Sequence, residues 1–503
     1  MQKYPIGIQD FEKLRTNNFV YVDKTMYIEQ LVNGSTNYFL SRPRRFGKSL
    51  FMSTLKYVFQ GRKDLFAGLY IEDKIEWKAK HVIHLDFSNE AWKELGLKKH
   101  LINMLNEHAC LLNIELKKES LADKFKELIT SCEDSPVLLI DEYDKPILHF
   151  IGVDNERANA NREIMREFYS VLKPLEGNIH FLFITGITRF SKTSLFSDMN
   201  HLKDITINKI YTGICGYTQS EMDFYFEEVY QACAISKGKT LHDFKQEVKI
   251  WYNGYRWFEN TETVYNPFSI LNFFDDGGEF QNYWFNSGMP TFLINTLNQN
   301  GDYDFEEVDV DELALSNFSI ENLKSTTLMF QAGYLTIKDR KEDIYTLVYP
   351  NMEVKKALLA SVLSDKSFED SSLPLIYKLR EFFEKKELEE IRDAIDGLFA
   401  NIPHQIFNAK SEYYYHSIIL VAFQLLGCIA DAEVSTLRGR IDAVVKTKKY
   451  IYILEFKVNQ NAEIALAQIK DRAYYKKYHN DGREIILLGI NFENKEIKDF
   501  LVG

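Results

Sequence analysis

The stretch Tyr38-Phe39-Leu40-Ser41-Arg42-Pro43-Arg44-Arg45-Phe46-Gly47-Lys48-Ser49 has the order of features that decides the fold of this chain. A short apolar run ends in a basic loop, and an apolar segment with helical character follows from Leu50 to Phe59. This order is typical of a phosphate-binding loop, in which backbone N–H groups and the positive end of the helix face the phosphates. We therefore predict that Lys48 contacts the β- and γ-phosphates of a nucleotide and that the Ser49 hydroxyl binds Mg²⁺.

One position departs from the full phosphate-loop pattern. The pattern G-x-x-x-x-G-K-[ST] begins with glycine, whereas Arg42 stands at that position here. Gly-Lys-Ser alone is common by chance, so a basic surface turn is the alternative interpretation of this stretch.

Length and composition define the broad class of protein. The 503 residues predict roughly three domains, and a hydrophobic content of 45% is ample for folded cores. No apolar run approaches the roughly 20 residues that cross a bilayer, and the N-terminus lacks an apolar signal core, so we expect no membrane association. Five scattered cysteines without a C-x-x-C pair favour buried free thiols in a reducing cytoplasm.

The charge of the chain is acidic overall but uneven. The net charge of −12 argues against a general nucleic-acid binder. Residues 405–503 contain 14 Lys/Arg against 12 Asp/Glu, whereas residues 1–404 contain 47 against 61. A near-neutral C-terminal part beside an acidic body is compatible with DNA contact in the C-terminal part.

A second buried strand is followed by two carboxylates. The run Pro136-Val137-Leu138-Leu139-Ile140 leads into Asp141 and Glu142. Strands that are apolar on both faces are typical of parallel sheets, and ligands bind at the carboxyl ends of such strands. We predict that Asp141 binds Mg²⁺ and that Glu142 polarises the attacking water; an acidic turn after a core strand is the alternative.

Further strand and helix patterns alternate with these two. His81–Phe87 and Ile179–Gly186 are predicted strands, and Leu97–Leu112 has helical spacing. This alternation predicts a doubly wound parallel α/β sheet. Thr185 at the tip of the last strand or Thr188 just after it is a candidate for contacting the γ-phosphate, and Arg189 is a weaker candidate.

The pattern changes after about residue 210. Helices are predicted at Tyr217–Val229 and Leu241–Tyr252, and a hairpin at Gly333–Lys338 and Tyr345–Tyr349 would suit a winged-helix lid. The polar run Ser364–Leu373 is a linker candidate before one charged helix, Ile376–Ala394. We therefore predict a P-loop domain (1–210), a helical and winged-helix lid (211–360), a helical linker (361–400) and a C-terminal domain (401–503).

The last hundred residues contain a second group of chemically significant side chains. Strands are predicted at Ile429–Val434, Gly439–Val445, Tyr450–Lys457 and Glu484–Ile490, and helices at Glu412–Leu426 and Glu463–Tyr478. Residues two apart on a strand share a face, so Glu455 and Lys457 point the same way. We predict that Asp442 and Glu455 bind Mg²⁺, that Lys457 activates water or screens phosphate charge, and that Gln468 faces the site. An ordinary Glu–Lys pair on an exposed strand is the alternative.

These residues together resemble a known family. Residues 42–49 match the form Arg-Pro-Arg-Arg-Phe-Gly-Lys-[Ser/Thr] of the AAA-ATPase-like P-loop ATPases, where arginine at position 42 is usual. Tyr21–Thr25, Asp141-Glu142, Thr185-Gly186 and Asn266–Ser269 also match. The C-terminal part is similar to the PD-(D/E)XK nuclease superfamily, in which Asp442, Glu455 and Lys457 fall on the metal and catalytic positions, Gln468 on an accessory helix and Glu412 on the first-helix carboxylate.

The resemblance implies a restriction-endonuclease-like C-terminal fold and a nucleotide site formed by Arg45, Phe46, Gly47, Lys48, Ser49, Asp141 and Thr185. The expected function is an ATP-hydrolysing switch fused to a Mg²⁺-dependent deoxyribonuclease in the cytoplasm. Analogy with the family suggests a role in defence against foreign DNA or in mobile-element biology. The alternative is a non-cutting switch whose C-terminal domain binds nucleic acid or a protein partner. The sequence leaves the DNA substrate and the oligomeric state open, a homo-oligomer included.

Overall fold

The computed structural model of the chain describes residues 3–189, 202–286, 293, 297, 305–316, 324–367, 372–400, 412–429, 433–437, 441–493 and 496–503. The chain forms two compact units. Unit 1 comprises Met1–Thr296 and Phe305–Glu353, and unit 2 comprises Leu297–Asp304 and Val354–Gly503. The finer division into four ranges, made from the sequence, stays a prediction.

A five-stranded parallel sheet forms the centre of unit 1. Its strands stand in the order β2-β3-β4-β1-β5. They are β1 (Asn37–Ser41), β2 (Val82–Asp86), β3 (Val137–Asp141), β4 (Phe181–Gly186) and β5 (Lys203–Asp204). Strands β1, β3 and β4 are buried along their whole length, as expected for runs that are apolar on both faces. The parallel α/β fold predicted from the sequence is confirmed.

Helices accompany the sheet in unit 1. They are Phe11–Thr16, Thr25–Val32, Lys48–Phe59, Trp92–Leu95, Leu97–Leu111, Leu121–Thr130, Lys145–Leu148 and Asn155–Ser170, with 3-10 turns at Lys63–Phe66, Glu176–Asn178 and Lys209–Tyr211. Polar caps fix several starts: the side chains of Ser120 and Asp154 accept a backbone N–H of the first turn. The helix that follows Gly47 begins at Lys48, two residues earlier than the apolar pattern predicts.

The helical module, residues 217–286, is also part of unit 1. Its helices are Gln219–Tyr225, Glu227–Ser236, Leu241–Tyr252, Pro267–Asp275 and Tyr283–Asn286. Aromatic side chains dominate the module core, with Phe226, Phe244, Tyr252, Phe273 and Phe274 all buried. The single helix predicted at Tyr217–Val229 is in fact two, because the chain leaves helical geometry at Phe226.

A small antiparallel sheet completes unit 1. It has the order β6-β8-β7, with β6 (Val308–Asp311), β7 (Thr336–Lys341) and β8 (Ile344–Val348). The predicted hairpin is β7 and β8, and helices Glu312–Ser316 and Ser325–Ala332 lie between β6 and β7 in the chain. Strand β6 alternates half-buried and exposed residues, a pattern that the sequence analysis missed. Assignment of this part to a winged-helix lid stays a prediction.

Unit 2 contains a mixed five-stranded sheet of order β13-β12-β11-β10-β9. The strands are β9 (Glu433–Leu437), β10 (Ile441–Lys446), β11 (Tyr450–Val458), β12 (Glu484–Glu493) and β13 (Glu496–Val502). Only the β11–β12 pairing is parallel. The helices are Met352–Ser367, which starts at the end of unit 1, Ser372–Lys385, Leu388–Ala400, Glu412–Ile429 and Ala462–Asp471, followed by the 3-10 helix Tyr474–Tyr478.

Several predicted boundaries in unit 2 are wrong. The helix predicted at Ile376–Ala394 is two helices, because Lys386 has φ 61 and ends the first. The helix predicted at Glu463–Tyr478 ends at Asp471, since Ala473 has φ 53. Helices enter the predicted linker Ser364–Leu373 from both sides, and residues 368–371 lie outside the described residues.

The structure also bears on two expectations drawn from the composition, one about membrane-spanning segments and one about the cysteines. Among the described residues, no helix combines the length and the apolar character needed to cross a membrane. Cys132, Cys215 and Cys233 are free thiols with at least partial burial, whereas Cys110 is exposed, so the expectation that all cysteines are buried is wrong.

Arg42 lies beneath the phosphate loop rather than on its surface. The side chain is 1% exposed, and Nη1 donates to the carbonyls of Ser41 and Thr206 while Nη2 donates to that of Tyr211. Its guanidinium lies 4.5 Å from the ring centroid of Trp257. Arginine at this position thus fixes the start of the loop to two later segments of unit 1, which glycine has no side chain to do.

The next loop residues are fastened to the helical module. Phe46 is buried edge-on against Tyr255, at 4.6 Å between ring centroids, and its carbonyl accepts the Gly216 N–H. The carbonyl of Arg44 accepts the Trp284 indole N–H at 3.1 Å. The loop therefore holds its shape through contacts to residues far away in sequence.

Glu353 is a buried carboxylate behind these contacts. It is 0% exposed, accepts the Ser269 hydroxyl at 2.8 Å and accepts the Trp284 backbone N–H at 2.7 Å. Burial raises the pKa of Glu353 from its ordinary value of 4.5 to about 7. Glu353 thereby links the helix that begins at Pro267 to Trp284. The indole N–H of Trp284 in turn donates to the Arg44 carbonyl of the loop.

Replacing Arg42 by the usual glycine should weaken the fold rather than improve the loop. Arg42→Gly and Arg42→Ala remove a buried hydrogen-bond network, so we expect unit 1 to lose on the order of 3 kcal/mol of stability. Thermal unfolding measures the change, with Arg44→Ala, a substitution of an exposed neighbour, as the matched control. Equal melting temperatures for Arg42→Ala and Arg44→Ala would contradict this role of Arg42.

Glu353 predicts a pH dependence of stability with a definite sign. Between pH 4.5 and about 7, the folded state keeps the Glu353 proton while the unfolded chain releases it. Stability is therefore fully present below pH 4.5 and falls as pH rises towards 7, by roughly 3 kcal/mol in all. Glu353→Gln mimics the protonated acid, so its melting temperature should rise relative to the wild type between about pH 5 and about pH 8. A difference that is constant over this range would rule out titration of Glu353.

Candidate functional site

The end of the phosphate loop has the backbone geometry that opens a helix N-terminus. Gly47 has φ 92 and directly precedes helix Lys48–Phe59, and Arg45 has φ 66. An added Cβ at Gly47 would meet no atom within 4 Å, so glycine is favoured there by the left-handed backbone rather than by lack of space. The first N–H groups of the helix and its positive end are therefore available to an anion.

Lys48 is buried and held by its own loop. Its Nζ donates to the carbonyls of Arg42 at 3.0 Å and Pro43 at 2.9 Å. Burial lowers the pKa of Lys48, whereas the nearby acids Asp141, Glu142 and Asp144 oppose that shift. The ammonium group thus lies at the base of the loop, bonded to two loop carbonyls and attracted by the carboxylates of Asp141, Glu142 and Asp144.

Asp141 and Glu142 lie at the carboxyl end of β3, as predicted. Asp141 is 1% exposed, and burial raises its pKa to about 7, with the Ser49 hydroxyl and Lys48 acting against the rise. The Ser49 hydroxyl lies close enough to the Asp141 carboxylate to lower its pKa, so the two predicted Mg²⁺ ligands are neighbours. This pair of hard oxygen donors fits Mg²⁺.

Glu142 has a partner that the sequence analysis did not single out. Its backbone has φ 52, and its carboxylate pairs with Lys145 Nζ at 3.0 Å. Lys145 Nζ also donates to the Ser88 carbonyl at 3.1 Å and lies 3.6 Å from Glu90. The carboxylate predicted to polarise water is therefore linked to the segment that follows β2.

The three γ-phosphate candidates make internal contacts. The Thr185 hydroxyl is fully buried and donates to the Leu40 carbonyl at 2.8 Å. The Thr188 hydroxyl and N–H both donate to Asp144 at 2.6 Å, and Arg189 pairs with Asp204 at 2.5 Å. These contacts place Thr185 between strands β1 and β4 rather than on a cavity wall, so its nucleotide role stays a prediction without geometric support.

A cavity of about 800 Å³ opens beside the loop in unit 1. Its polar wall includes Arg44, Arg45, Gly47, Lys48, Ser49 and Glu142. An apolar wall of Ile6, Val22, Phe268 and Leu271 lies in the same cavity, and the Arg45 guanidinium stands 5.0 Å from the Phe268 ring centroid. A volume of this size with one charged and one apolar wall suits a nucleotide.

Further charged groups without a role assigned from the sequence line this cavity, and three of them are Lys24, Asp144 and Lys145. Lys24 forms a buried ion pair with Glu221 at 2.6 Å, and Asp144 fixes the turn after β4. Lys145 is the third. The motif Tyr21–Thr25 pointed to Lys24, and the second Asp of Asp141-Glu142-Tyr143-Asp144 pointed to Asp144, but neither motif shows which group each would contact.

In unit 2, Glu455, Lys457 and Gln468 come together as predicted. Glu455 and Lys457 lie on β11, and Lys457 Nζ is 3.3 Å from Glu455 Oε1. Gln468, on helix Ala462–Asp471, donates its side-chain N–H to the same oxygen. Glu455 is 3% exposed, so a buried carboxylate is neutralised by a cation on its own strand and fixed by an amide from the helix.

The other predicted residues of this site are placed only by their backbone. Asp442 belongs to β10, next to β11, and the β9–β10 register shifts between Ile441 and Val444. Glu412 begins helix Glu412–Ile429, and the side chains of Asp442 and Glu412 lie outside the described residues. Among the described side chains, no three His, Cys, Asp or Glu groups converge on one point. The Glu455 carboxylate is an oxygen donor of the kind that Mg²⁺ prefers.

Comparisons with known proteins match one stretch in the N-terminal part of the chain and another in the C-terminal part. A family model described as a predicted AAA-ATPase, AAA-ATPase-like, matches residues 5–196, and a PD-(D/E)XK nuclease superfamily model matches residues 410–499. An uncharacterized protein in the vnfD 5′ region of Azotobacter chroococcum mcd 1 is 36% identical over 523 residues, covering 100% of this chain and 99% of that protein. No solved structure matches the chain.

The 42–49 loop, the parallel sheet around it and the Glu455–Lys457 strand all fall within the stretches that these comparisons match. The chain belongs to the AAA-ATPase-like family of proteins with a C-terminal PD-(D/E)XK nuclease superfamily domain.

Proposed function

We propose that the protein is an ATP-hydrolysing switch joined to a Mg²⁺-dependent DNA nuclease. The observation that best supports it is the cavity beside Lys48, in which a helix N-terminus, a buried ammonium and the Ser49 hydroxyl meet one apolar wall. Ser49 in turn lies close to the buried carboxylate of Asp141. This combination recognises the phosphates, a phosphate-bound cation and a base at once. Family membership supports both halves of the proposal.

In the nucleotide site, the helix N-terminus and Lys48 bind the phosphates, and Arg45 with Phe268 forms a surface for the base. Ser49 and Asp141 would hold Mg²⁺, which supplies positive charge to the phosphate oxygens when bound. Glu142 accepts the proton of the attacking water after its carboxylate has separated from Lys145. Asp144, bonded to the Thr188 N–H, positions the turn beside the site.

In the nuclease site, Glu455 and Asp442 would hold Mg²⁺, and Lys457 orients water and binds the phosphate. Gln468 keeps the Glu455 carboxylate in one orientation. One observation favours the second candidate, a non-cutting switch whose C-terminal domain binds nucleic acid or a protein partner. The Glu455 carboxylate already has two bonded neighbours, Lys457 and Gln468, which also suits a purely structural polar cluster.

The nucleotide proposal predicts separate losses of binding and turnover. Lys48→Ala should weaken ATP binding by about 10- to 100-fold, the loss of charge-assisted hydrogen bonds. Glu142→Gln should retain ATP and lose turnover by about 100-fold or more. Calorimetry measures ATP affinity, and phosphate release measures ATP turnover. Lys56→Ala, at the other end of the same helix, is the control. ATP affinity unchanged in Lys48→Ala would defeat the proposal.

The nuclease proposal predicts loss of cleavage without loss of ATP turnover. Asp442→Ala and Glu455→Ala remove ligands of the cation, and Lys457→Ala should spare metal binding yet abolish cleavage. DNA retention should survive all three substitutions: Asp442→Ala and Glu455→Ala reduce repulsion of phosphate, and Lys457→Ala removes a single phosphate contact among several. Plasmid cleavage with Mg²⁺ and ATP is the assay, with Glu493→Ala, an exposed acid on β12, as the matched control. Wild-type cleavage by Asp442→Ala or Lys457→Ala would contradict the nuclease assignment, and wild-type protein that cuts no DNA would favour the non-cutting switch.

A further inference from the structure

A run of cations follows the helix that positions Gln468. Residues 470–479 contain Lys470, Arg472, Lys476 and Lys477 against one acid, Asp471. Arg472, Lys476 and Lys477 are all exposed. This local excess of positive charge stands out in a chain whose net charge is −12.

Arg472 lies beside the Glu455 site. It follows Gln468 by four residues and caps helix Ala462–Asp471, so the two share a helix face about 6 Å apart along the axis. Gln468 bonds Glu455, and the Arg472 guanidinium is within electrostatic range of the same carboxylate. Its Nη1 donates to the Tyr474 hydroxyl at 3.0 Å, which holds the exposed guanidinium in place.

Lys476 and Lys477 continue the positive charge on the next element. Both belong to the 3-10 helix Tyr474–Tyr478, and the Lys477 ammonium stands 5.7 Å from the Tyr478 ring centroid. In the part of unit 2 that the structure describes, neither lysine has a carboxylate within ion-pair distance, unlike the exposed pairs Arg392–Asp393 and Lys386–Glu484. Two neighbouring cations that lack an acidic partner are available to an outside anion.

We propose that Arg472, Lys476 and Lys477 form a contact surface for the phosphate backbone of DNA, with Arg472 binding a phosphate close to the one cleaved. The inference rests on the proposed nuclease function and names the residues that hold its substrate. Arginine suits the position nearest the site, since its planar fork binds two phosphate oxygens at once.

The test measures DNA binding without cleavage. Fluorescence anisotropy with a labelled duplex in EDTA compares full-length wild type, Arg472→Ala and the double variant Lys476→Ala/Lys477→Ala. We expect each to weaken binding at least tenfold at low salt, and the slope of log affinity against log salt to fall by about 0.9 for every phosphate that the variant no longer neutralises. Arg392→Ala and Lys498→Ala, which remove exposed cations elsewhere in unit 2, should bind as the wild type does.

A second set of variants separates position from charge. Tyr474→Phe removes the hydroxyl that holds Arg472, so it should weaken binding less than Arg472→Ala and add nothing to it in the double variant. Arg472→Lys should recover the salt slope but only part of the affinity, because the fork is absent. Thermal unfolding followed by circular dichroism checks that every variant is folded in both units.

The outcomes for surface and function are distinguishable. If the wild type binds duplex in EDTA and the cation variants do not, the surface stands even when no cleavage is ever seen. If the cation variants bind as tightly as the wild type, or respond no more than Arg392→Ala, the surface is wrong even when the protein proves to be a nuclease. Absence of wild-type binding at low salt would also overturn it.

Discussion

The phosphate loop of this protein depends on a buried guanidinium. Arg42 donates to backbone carbonyls of Ser41, Thr206 and Tyr211 while its face packs on Trp257. A buried cation is costly unless its donors are used, and here carbonyl dipoles and an aromatic ring offset that cost. Phe46 and the Arg44 carbonyl add contacts to the helical module. Contacts with residues distant in sequence therefore fix the conformation of this loop, whereas a glycine-rich loop relies on the conformational freedom of its own backbone.

The two candidate sites share one electrostatic arrangement. In each, the carboxylate proposed for catalysis or metal binding lies within about 3 Å of a lysine, Glu142 with Lys145 at 3.0 Å and Glu455 with Lys457 at 3.3 Å. Such pairs lower the energy of a partly or fully buried carboxylate before any ligand arrives. Under the proposed function, a ligand phosphate that approached either lysine would compete with its carboxylate, so substrate binding and release of the carboxylate would be one exchange of partners.

The sequence predicted what depends on local pattern and missed what depends on distant contacts. Strands β1, β3, β4 and β11 were predictable because their apolar runs are unambiguous, and the placing of Asp141, Glu142, Glu455 and Lys457 followed from strand ends and strand alternation. The helix breaks at Lys386 and Ala473 were not predictable, because positive φ at residues other than glycine leaves no mark in the sequence. The role of Arg42 was hidden, since its partners Thr206 and Tyr211 lie more than 160 residues away.

The same separation has a consequence for synthesis. Strand β1 pairs with β4, and Arg42 bonds to Thr206 and Tyr211. Trp284, whose indole N–H donates to the Arg44 carbonyl, donates its backbone N–H to Glu353. A nascent chain therefore has no finished nucleotide site when its Gly-Lys-Ser leaves the ribosome. At roughly 5–20 residues per second, at least about 15 seconds of translation separate the loop from its last anchor. During that interval the loop lacks the distant contacts that fix its conformation, so it reaches its folded geometry only after Glu353 has been synthesised.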